Sequence, residues 1–212
     1  GIEIRGLGRD IFAVKAQPFL ENQLEQAMKK LSSLHLEIPC LSSGCCLRFP
    51  EKEEKNYQEI LQYIQLASKL GTPFVRILAD LEPQPKGDVD DDAVLASLEH
   101  LIPAAEENGV TLLVETNGVY ADTNRLRGLL DRAASDAVAA LWDMHHPYRF
   151  AGEAPGKTVQ NLGAYIKYVH IKDSVVEDGR IRYRLMGEGD LPMEDMMLAL
   201  RSINYDGYIS LE

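Results

Sequence analysis

Four residues of the kinds that bind divalent cations stand at equivalent places in the second half of the chain. Glu115 closes the run TLLVE, Asp143 closes AALWD, His170 stands in YVHIK and Glu212 closes YISLE. Each follows a short apolar run of the sort that a strand buried on both faces shows, so each falls at the C-terminal end of a predicted strand. Three carboxylates gathered at one point repel one another, and their desolvation costs several kcal/mol each before any pairing. A divalent metal is the natural neutraliser. Three oxygen donors with one imidazole suit Mn, Mg, Co or Zn equally on sequence grounds. Taken singly, Glu115 or Asp143 serves as well to cap the helix that follows its strand. Four such residues in succession, one of them a histidine, point instead to a shared site.

Other polar residues crowd around the same strand ends. LWDMHHPYRF places His145, His146 and Arg149 on the loop after Asp143. Only one of the two histidines is expected to point inward, and His145 is read as an ordinary surface residue. Lys172 lies two residues beyond His170, on the same side by strand alternation. It is placed to bind an anionic or hydroxyl group, or to pair with Asp173. Arg149, Lys172 and Arg184 are the candidates for gripping a phosphate or carboxylate.

The elements that must position these residues are legible as alternating runs. Strand-like segments begin at Gly1 (GIEI), His35 (HLEIPC), Phe74 (FVRIL), Thr111 (TLLVE), Ala139 (AALWD), Tyr168 (YVHIK) and Tyr208 (YISLE). Between them lie helical patterns such as ENQLEQAMKKLSSL from Glu21, NYQEILQYIQLASKLG ending at Gly71 and DDDAVLASLEHLIPAAEENG ending at Gly109. The spacings leave room for one crossover each, which implies a parallel sheet, either doubly wound or closed as a (β/α)8 TIM barrel. Seven strands are one short of eight, and the sequence opens on a strand and stops on one. The expectation is therefore a single domain over residues 1–212, truncated at both ends and lacking the first βα unit and the final helix. The segment VVEDGRIRYRLMGEGD reads as an inserted loop, with a turn at Glu177, Asp178 and Gly179 and a hairpin arm in IRYRL.

Composition bounds the partners. The 212 residues carry a formal net charge of -11, which disfavours a function built on neutralising phosphate backbones, so no nucleic-acid partner is expected. No apolar run approaches the roughly 20 residues needed to cross a bilayer, and the N-terminus lacks the layout of a signal peptide. Cytoplasm is the default location, with no membrane partner and room for a homo-oligomer. Cys40, Cys45 and Cys46, odd in number and clustered, read as reduced thiols.

Weaker signals take ordinary readings. Gly6-Leu7-Gly8 lacks the third glycine of a dinucleotide fingerprint and reads as a turn. DVDDDAVLASLE resembles a calcium loop but has Ala93 where the bend needs glycine, so its acids are assigned to a helix N-terminus. Met193, Met196 and Met197 read as core, and GEGD at 187–190 reads as a turn.

The motifs VETN at 114–117, WDMHHPYR at 142–149, VHIKDS at 169–174, GEGDLP at 187–192 and YDGYISLE at 205–212 together resemble the xylose isomerase-like TIM-barrel superfamily of sugar isomerases and epimerases. GIEIRG and FVRIL resemble that family's second and fourth strands more weakly. The resemblance implies one divalent metal held by Glu115, Asp143, His170 and Glu212, with His146 contacting substrate and Glu188 helping to shape the site. It further implies that Glu115 and Glu212 face opposite sides of a bound ketose and shuttle a proton through an enediolate. That is sound chemistry, because a metal polarises a carbonyl while a placed carboxylate takes the proton.

Departures from relatives narrow the expectation. The three-zinc endonuclease IV branch has an Asp-x-His before its GEG, where this chain has Ile181, Arg182 and Tyr183, and extra early histidines where this chain offers only His35, at a predicted strand's start. The 3-epimerases of the tagatose and psicose type carry a glutamate and an arginine where this chain has Ala121 and Val176. The form VHIKD instead resembles inosose dehydratase-like and sugar-phosphate isomerase-like members. The expected activity is a metal-dependent isomerase or epimerase of a small ketose, cyclitol or sugar phosphate. An inosose-type dehydratase and a non-catalytic carbohydrate-binding barrel are the alternatives.

Overall fold

A computed structural model describes residues 1–212. In chain order the elements are α1 (Leu24–Ser33), β1 (Cys40–Cys46), α2 (Glu53–Leu70), β2 (Phe74–Leu78), α3 (Asp91–Asn108), β3 (Thr111–Glu115), α4 (Thr123–Ala133) and β4 (Val138–Asp143). They continue with α5 (His145–Phe150), α6 (Pro155–Leu162), β5 (Ile166–Ile171), β6 (Asp173–Glu177), β7 (Arg180–Arg184), α7 (Met193–Ser202) and β8 (Ile209–Leu211). The main sheet has the order β1-β2-β3-β4-β5-β8, and β6 and β7 form a sheet of their own. The ladders β1/β2, β2/β3, β4/β5 and β5/β8 are all parallel, as crossover helices require. The alternation expected from sequence is thus the alternation observed. No helix is long and apolar enough to cross a membrane.

The packing divides into two compact units. The first comprises Gly1–Ala79, Asp90–Val114 and Arg132–Ala139. In it α2 buries Ile60, Tyr63, Ile64 and Ala67, a three-and-four spacing that makes one apolar stripe. α2 and α3 end at Gly71 and Gly109, whose φ values of 69° and 64° give the left-handed caps that glycine adopts without strain. Asp90 caps α3, its Oδ1 accepting the Asp92 and Ala93 amides at 3.0 and 3.2 Å, which disposes of the calcium-loop resemblance. The buried Arg76 of β2 donates to the Ser43 carbonyl at 2.9 Å. Cys40, Cys45 and Cys46 are buried and in no disulfide, and burial, with Glu59 nearby, pushes the Cys45 thiol well above its ordinary range.

Some boundaries differ from the sequence expectation. GIEI forms only an isolated parallel bridge, Ile4 to Leu41, because the chain turns back at Leu7–Asp10 directly after it. β1 begins at Cys40 rather than His35. His35 follows α1 with φ 54° and Pro39 has no amide to donate, so the segment between them cannot pair as a ladder. His35 is therefore an exposed residue after a helix and stands at no strand's start.

The second unit comprises Asp80–Val89, Glu115–Asp131 and Ala140–Glu212. Leu141, Trp142 and Asp143 of β4 and Tyr168, Val169 and His170 of β5 are buried. Register puts Asp143 opposite His170, and β8 beside β5 brings the Glu212 amide to the Ile171 carbonyl at 3.1 Å. The β6–β7 hairpin turns on Asp178 and Gly179, both at positive φ (51° and 71°), the conformation that suits a two-residue hairpin. Met196 is core, whereas Met197 is 37% exposed, because α7 buries one face only, that of Met196, Ala199 and Leu200.

The hydroxyl of Tyr63 accepts the Ala13 amide at 3.2 Å, and both residues are fully buried. Tyr63→Phe strands that amide. The expected loss is about 1–3 kcal/mol of unfolding free energy. Urea titration followed by circular dichroism measures it, and a midpoint equal to wild type would show that the bond contributes nothing.

Candidate functional site

The four strand-end residues meet. Glu115, Asp143, His170 and Glu212 each offer one donor atom, and these atoms lie within 4.8 Å of one another. Donors on opposite sides of one ion, at about 2.0–2.3 Å each, have nearly this separation. Glu115, Asp143 and His170 are 3%, 0% and 1% exposed, while the side chain of Glu212 is 37% exposed. The buried oxygen-rich donor set with one imidazole suits a hard divalent ion.

Local bonds aim these groups. The Asp143 amide donates to Thr116 Oγ1 at 2.9 Å, which fastens the ends of β3 and β4. Asp143 Oδ1 accepts the His145 amide at 2.9 Å, a local turn just before the short helix α5, whose N-cap is Met144. The other Asp143 oxygen, Oδ2, faces Lys172 Nζ at 2.7 Å. Lys172 Nζ also lies 2.5 Å from Glu212 Oε2, and no pairing with Asp173 occurs. Burial opposes the Lys172 charge, but Asp143 and Glu212 outweigh it and hold the ammonium above its ordinary range. Burial likewise opposes the charge on Glu212, while the neighbouring His170 ring, 3.5 Å away, and the Lys172 ammonium hold its carboxyl far below the usual carboxylate range.

Both histidines of the HH pair are inside. His146 is 2% exposed, with Nδ1 3.0 Å from the Thr116 carbonyl. A carbonyl only accepts, so in the neutral ring Nδ1 carries the proton and Nε2 presents a lone pair. That Nε2 has no hydrogen-bond partner and lies 3.5 Å from Asp143 Oδ2. His145 is 0% exposed, which corrects its reading as a surface residue. Its Nε2 meets Ser174 Oγ at 3.0 Å, and burial, opposed by Asp143, pushes its pKa down to about 4.

The two arginines bond to groups other than the four donors. Arg149 donates through Nε to Ser174 Oγ at 3.0 Å and through Nη2 to the Ser174 carbonyl at 2.6 Å, and it also pairs with Asp190. Arg184 pairs with Glu177 at 2.7 Å. It lines a cavity of about 560 Å³ together with Lys172, Tyr183, Leu185, Met186 and Glu212. Glu188 is exposed on the loop before α7.

Three residues that sequence reasoning left without roles hold this arrangement. Thr116 ties β3 to β4, and Ser174 joins His145 to Arg149. Asp173 is 2% exposed and accepts the amides of Ser174, Gly187 and Gly189 at 2.8, 3.0 and 2.8 Å. A Cβ at Gly189 would collide with that carboxylate and with the Ser174 carbonyl. The spacing D-x(13)-G-x-G carried the signal: one buried acceptor serves two amides of a glycine loop.

With this geometry in place, the comparison with known proteins is decisive for the family. The family described as "Xylose isomerase-like TIM barrel" matches residues 1–212. The chain belongs to that family. Solved structures of the same fold include a 3-keto-D-glucoside 4-epimerase from E. coli, with TM-score 0.71, 18% identity, 90% of this chain and 77% of that one. A second is a probable 3-DHS dehydratase from Bacillus anthracis, with TM-score 0.72, 19% identity, 92% of this chain and 78% of that one. A third is a xylose isomerase-like TIM-barrel protein from Mycobacterium smegmatis in complex with magnesium, with TM-score 0.70, 20% identity, 91% of this chain and 71% of that one. No curated protein matches the chain. At these identities the structures establish a shared TIM-barrel fold.

Asp173→Ala removes the acceptor that gathers the loop of this family member. Hydrogen bonds to a charged group contribute about 1.5–3 kcal/mol, so a destabilisation of that order is expected, with faster proteolysis within residues 185–190. Limited proteolysis with mass spectrometry reads the second effect, and unchanged cleavage there would show that the loop is held by other means.

Proposed function

We propose that this protein is a divalent-metal-dependent isomerase or epimerase of a small ketose, cyclitol or sugar phosphate. The observation that carries the reading is the convergence of Glu115, Asp143, His170 and Glu212 within 4.8 Å at the ends of adjacent strands. Membership of the family and the likeness to a sugar epimerase support it.

Glu115, Asp143, His170 and Glu212 would hold the ion, which supplies Lewis-acid polarisation of a ligand carbonyl and its neighbouring hydroxyl. Glu115 and Glu212 are the proton-transfer pair. One carboxylate takes the proton from the carbon beside the carbonyl, and the other returns one. Return to the opposite face of the same carbon inverts it, and return to the adjacent carbon interconverts two carbonyl positions. His146 Nε2 accepts from a ligand hydroxyl, the role its free lone pair fits. Lys172 and Arg184 face the cavity where the remainder of the ligand lies and supply its cations. Arg149 holds Ser174 and Asp190 together at the hairpin base.

The likeness to a dehydratase favours a second reading. The same first deprotonation leads to loss of water if a β-hydroxyl is suitably placed. Product mass separates the two, because isomers retain the mass of the substrate and a dehydration product does not.

The test begins with elemental analysis of the chain after loading with Mn or Zn and removal of excess, with about one ion per chain expected. A panel of free and phosphorylated ketoses and cyclitol ketones in D2O, followed by NMR, is then expected to show C–H exchange with at least one member. Glu115→Gln and Glu212→Gln are each expected to lower that exchange by roughly 100-fold or more with the fold intact. Substantial exchange in either variant removes that residue from the pair. No bound metal at all would sink the proposal, and about three ions per chain would point to the nuclease branch.

A further inference from the structure

The second unit already holds a cation among its carboxylates, the ammonium of Lys172. Nζ stands 2.7 Å from Asp143 Oδ2 and 2.5 Å from Glu212 Oε2, and the side chain is 11% exposed. Asp143 Oδ1 already accepts the His145 amide at 2.9 Å, which leaves Oδ2 as the oxygen with no amide on it. That remaining oxygen is the one Lys172 engages. Glu212 Oε2 is committed in the same manner, with Lys172 on one side and His170 Nδ1 at 3.5 Å on another. A divalent ion drawing on Asp143 and Glu212 therefore meets an ammonium bound to the same oxygens, and like charges so close repel strongly where water is scarce.

The fold also offers the ammonium somewhere to go. Lys172 lines the cavity of about 560 Å³ with Tyr183, Arg184, Leu185 and Met186. Four rotatable carbons let a lysine change direction without moving its backbone, which here is fixed between His170 and Asp173.

We propose that Lys172 is a built-in counter-ion that a divalent cation displaces: without metal its ammonium holds Asp143 and Glu212 together, and metal entry drives it into the cavity beside Arg184. The inference rests on the metal site proposed above and adds an order of events to it. Lys172 lowers the affinity of the site for the ion. It becomes available to a ligand's hydroxyl or anionic group only once the ion is in place, so metal binding precedes full ligand recognition.

Two measurements on the metal-stripped chain test this. Manganese binding at one fixed pH is compared between wild type and Lys172→Met, which keeps the length of the stem. The variant is expected to bind roughly tenfold more tightly, since a like-charge competitor has gone. Wild-type lysines are also reductively methylated with and without magnesium and quantified by peptide mass spectrometry. Labelling of Lys172 is expected to rise several-fold with the ion, while the exposed Lys167 stays constant. Equal or weaker manganese binding in the variant overturns the proposal, as does Lys172 labelling that magnesium leaves unchanged. If the variant does not fold, the wild-type labelling decides alone. Absence of metal binding in both proteins would instead remove the metal site itself.

Discussion

Charge balance in a nearly dry place governs this site. Glu115, Asp143 and Glu212 bring three carboxylates together at strand ends, and such groups stay ionised together only when positive charge or N–H donors meet them. The surroundings supply both. The His145 amide takes one oxygen of Asp143, Lys172 bridges Asp143 to Glu212, and His170 approaches Glu212. The neutral, buried His145 adds no further positive charge beside Lys172, which keeps repulsion among the cations low.

Precision comes from the backbone rather than from the reactive groups. The pairing of Asp143 with His170 in the β4–β5 ladder sets two of the four at one level. The Glu212 amide on the Ile171 carbonyl sets a third, and the clasp of Thr116 on Asp143 ties in the strand end that carries Glu115. Ladder hydrogen bonds hold these groups to fractions of an ångström, which loops alone do not achieve.

What the sequence made legible follows from this division of labour. The ends of β3 and β4 were readable because these buried strands are apolar up to their last residue, so the first charged residue marks their exit, whereas β8 before Glu212 is apolar but largely exposed. β2 and β3 matched their runs to the residue. β1 was placed too early because His35 and Pro39 act through backbone constraints that an apolar pattern does not report. The donors Glu115, Asp143, His170 and Glu212 were named from type and spacing. Thr116 and Ser174 were not, because a hydroxyl bonded to a group nearly 30 residues away has no local signature, and Asp173 shows itself only through its spacing to the glycines at 187 and 189. His145 was misjudged for a related reason: whether a loop histidine faces in or out depends on Ser174, which is 29 residues away in the chain. Lys172 was placed on the correct side by alternation, but its partners belong to two other strands and to no pattern within its own.

The hairpin between His170 and Glu212 has a further significance for how such a protein changes over generations. Its base is clamped at Asp173, while its tip at Asp178 and Gly179 projects with exposed neighbours on either side. Length and composition at the tip are thus insulated from the strands that carry the ionisable groups. Exchange of residues along β7, where Tyr183 and Arg184 face the cavity, alters what the pocket admits and leaves its floor in register. The strand ends that carry the four donors thus stand beside a wall whose side chains can be exchanged without altering the ladder that holds them.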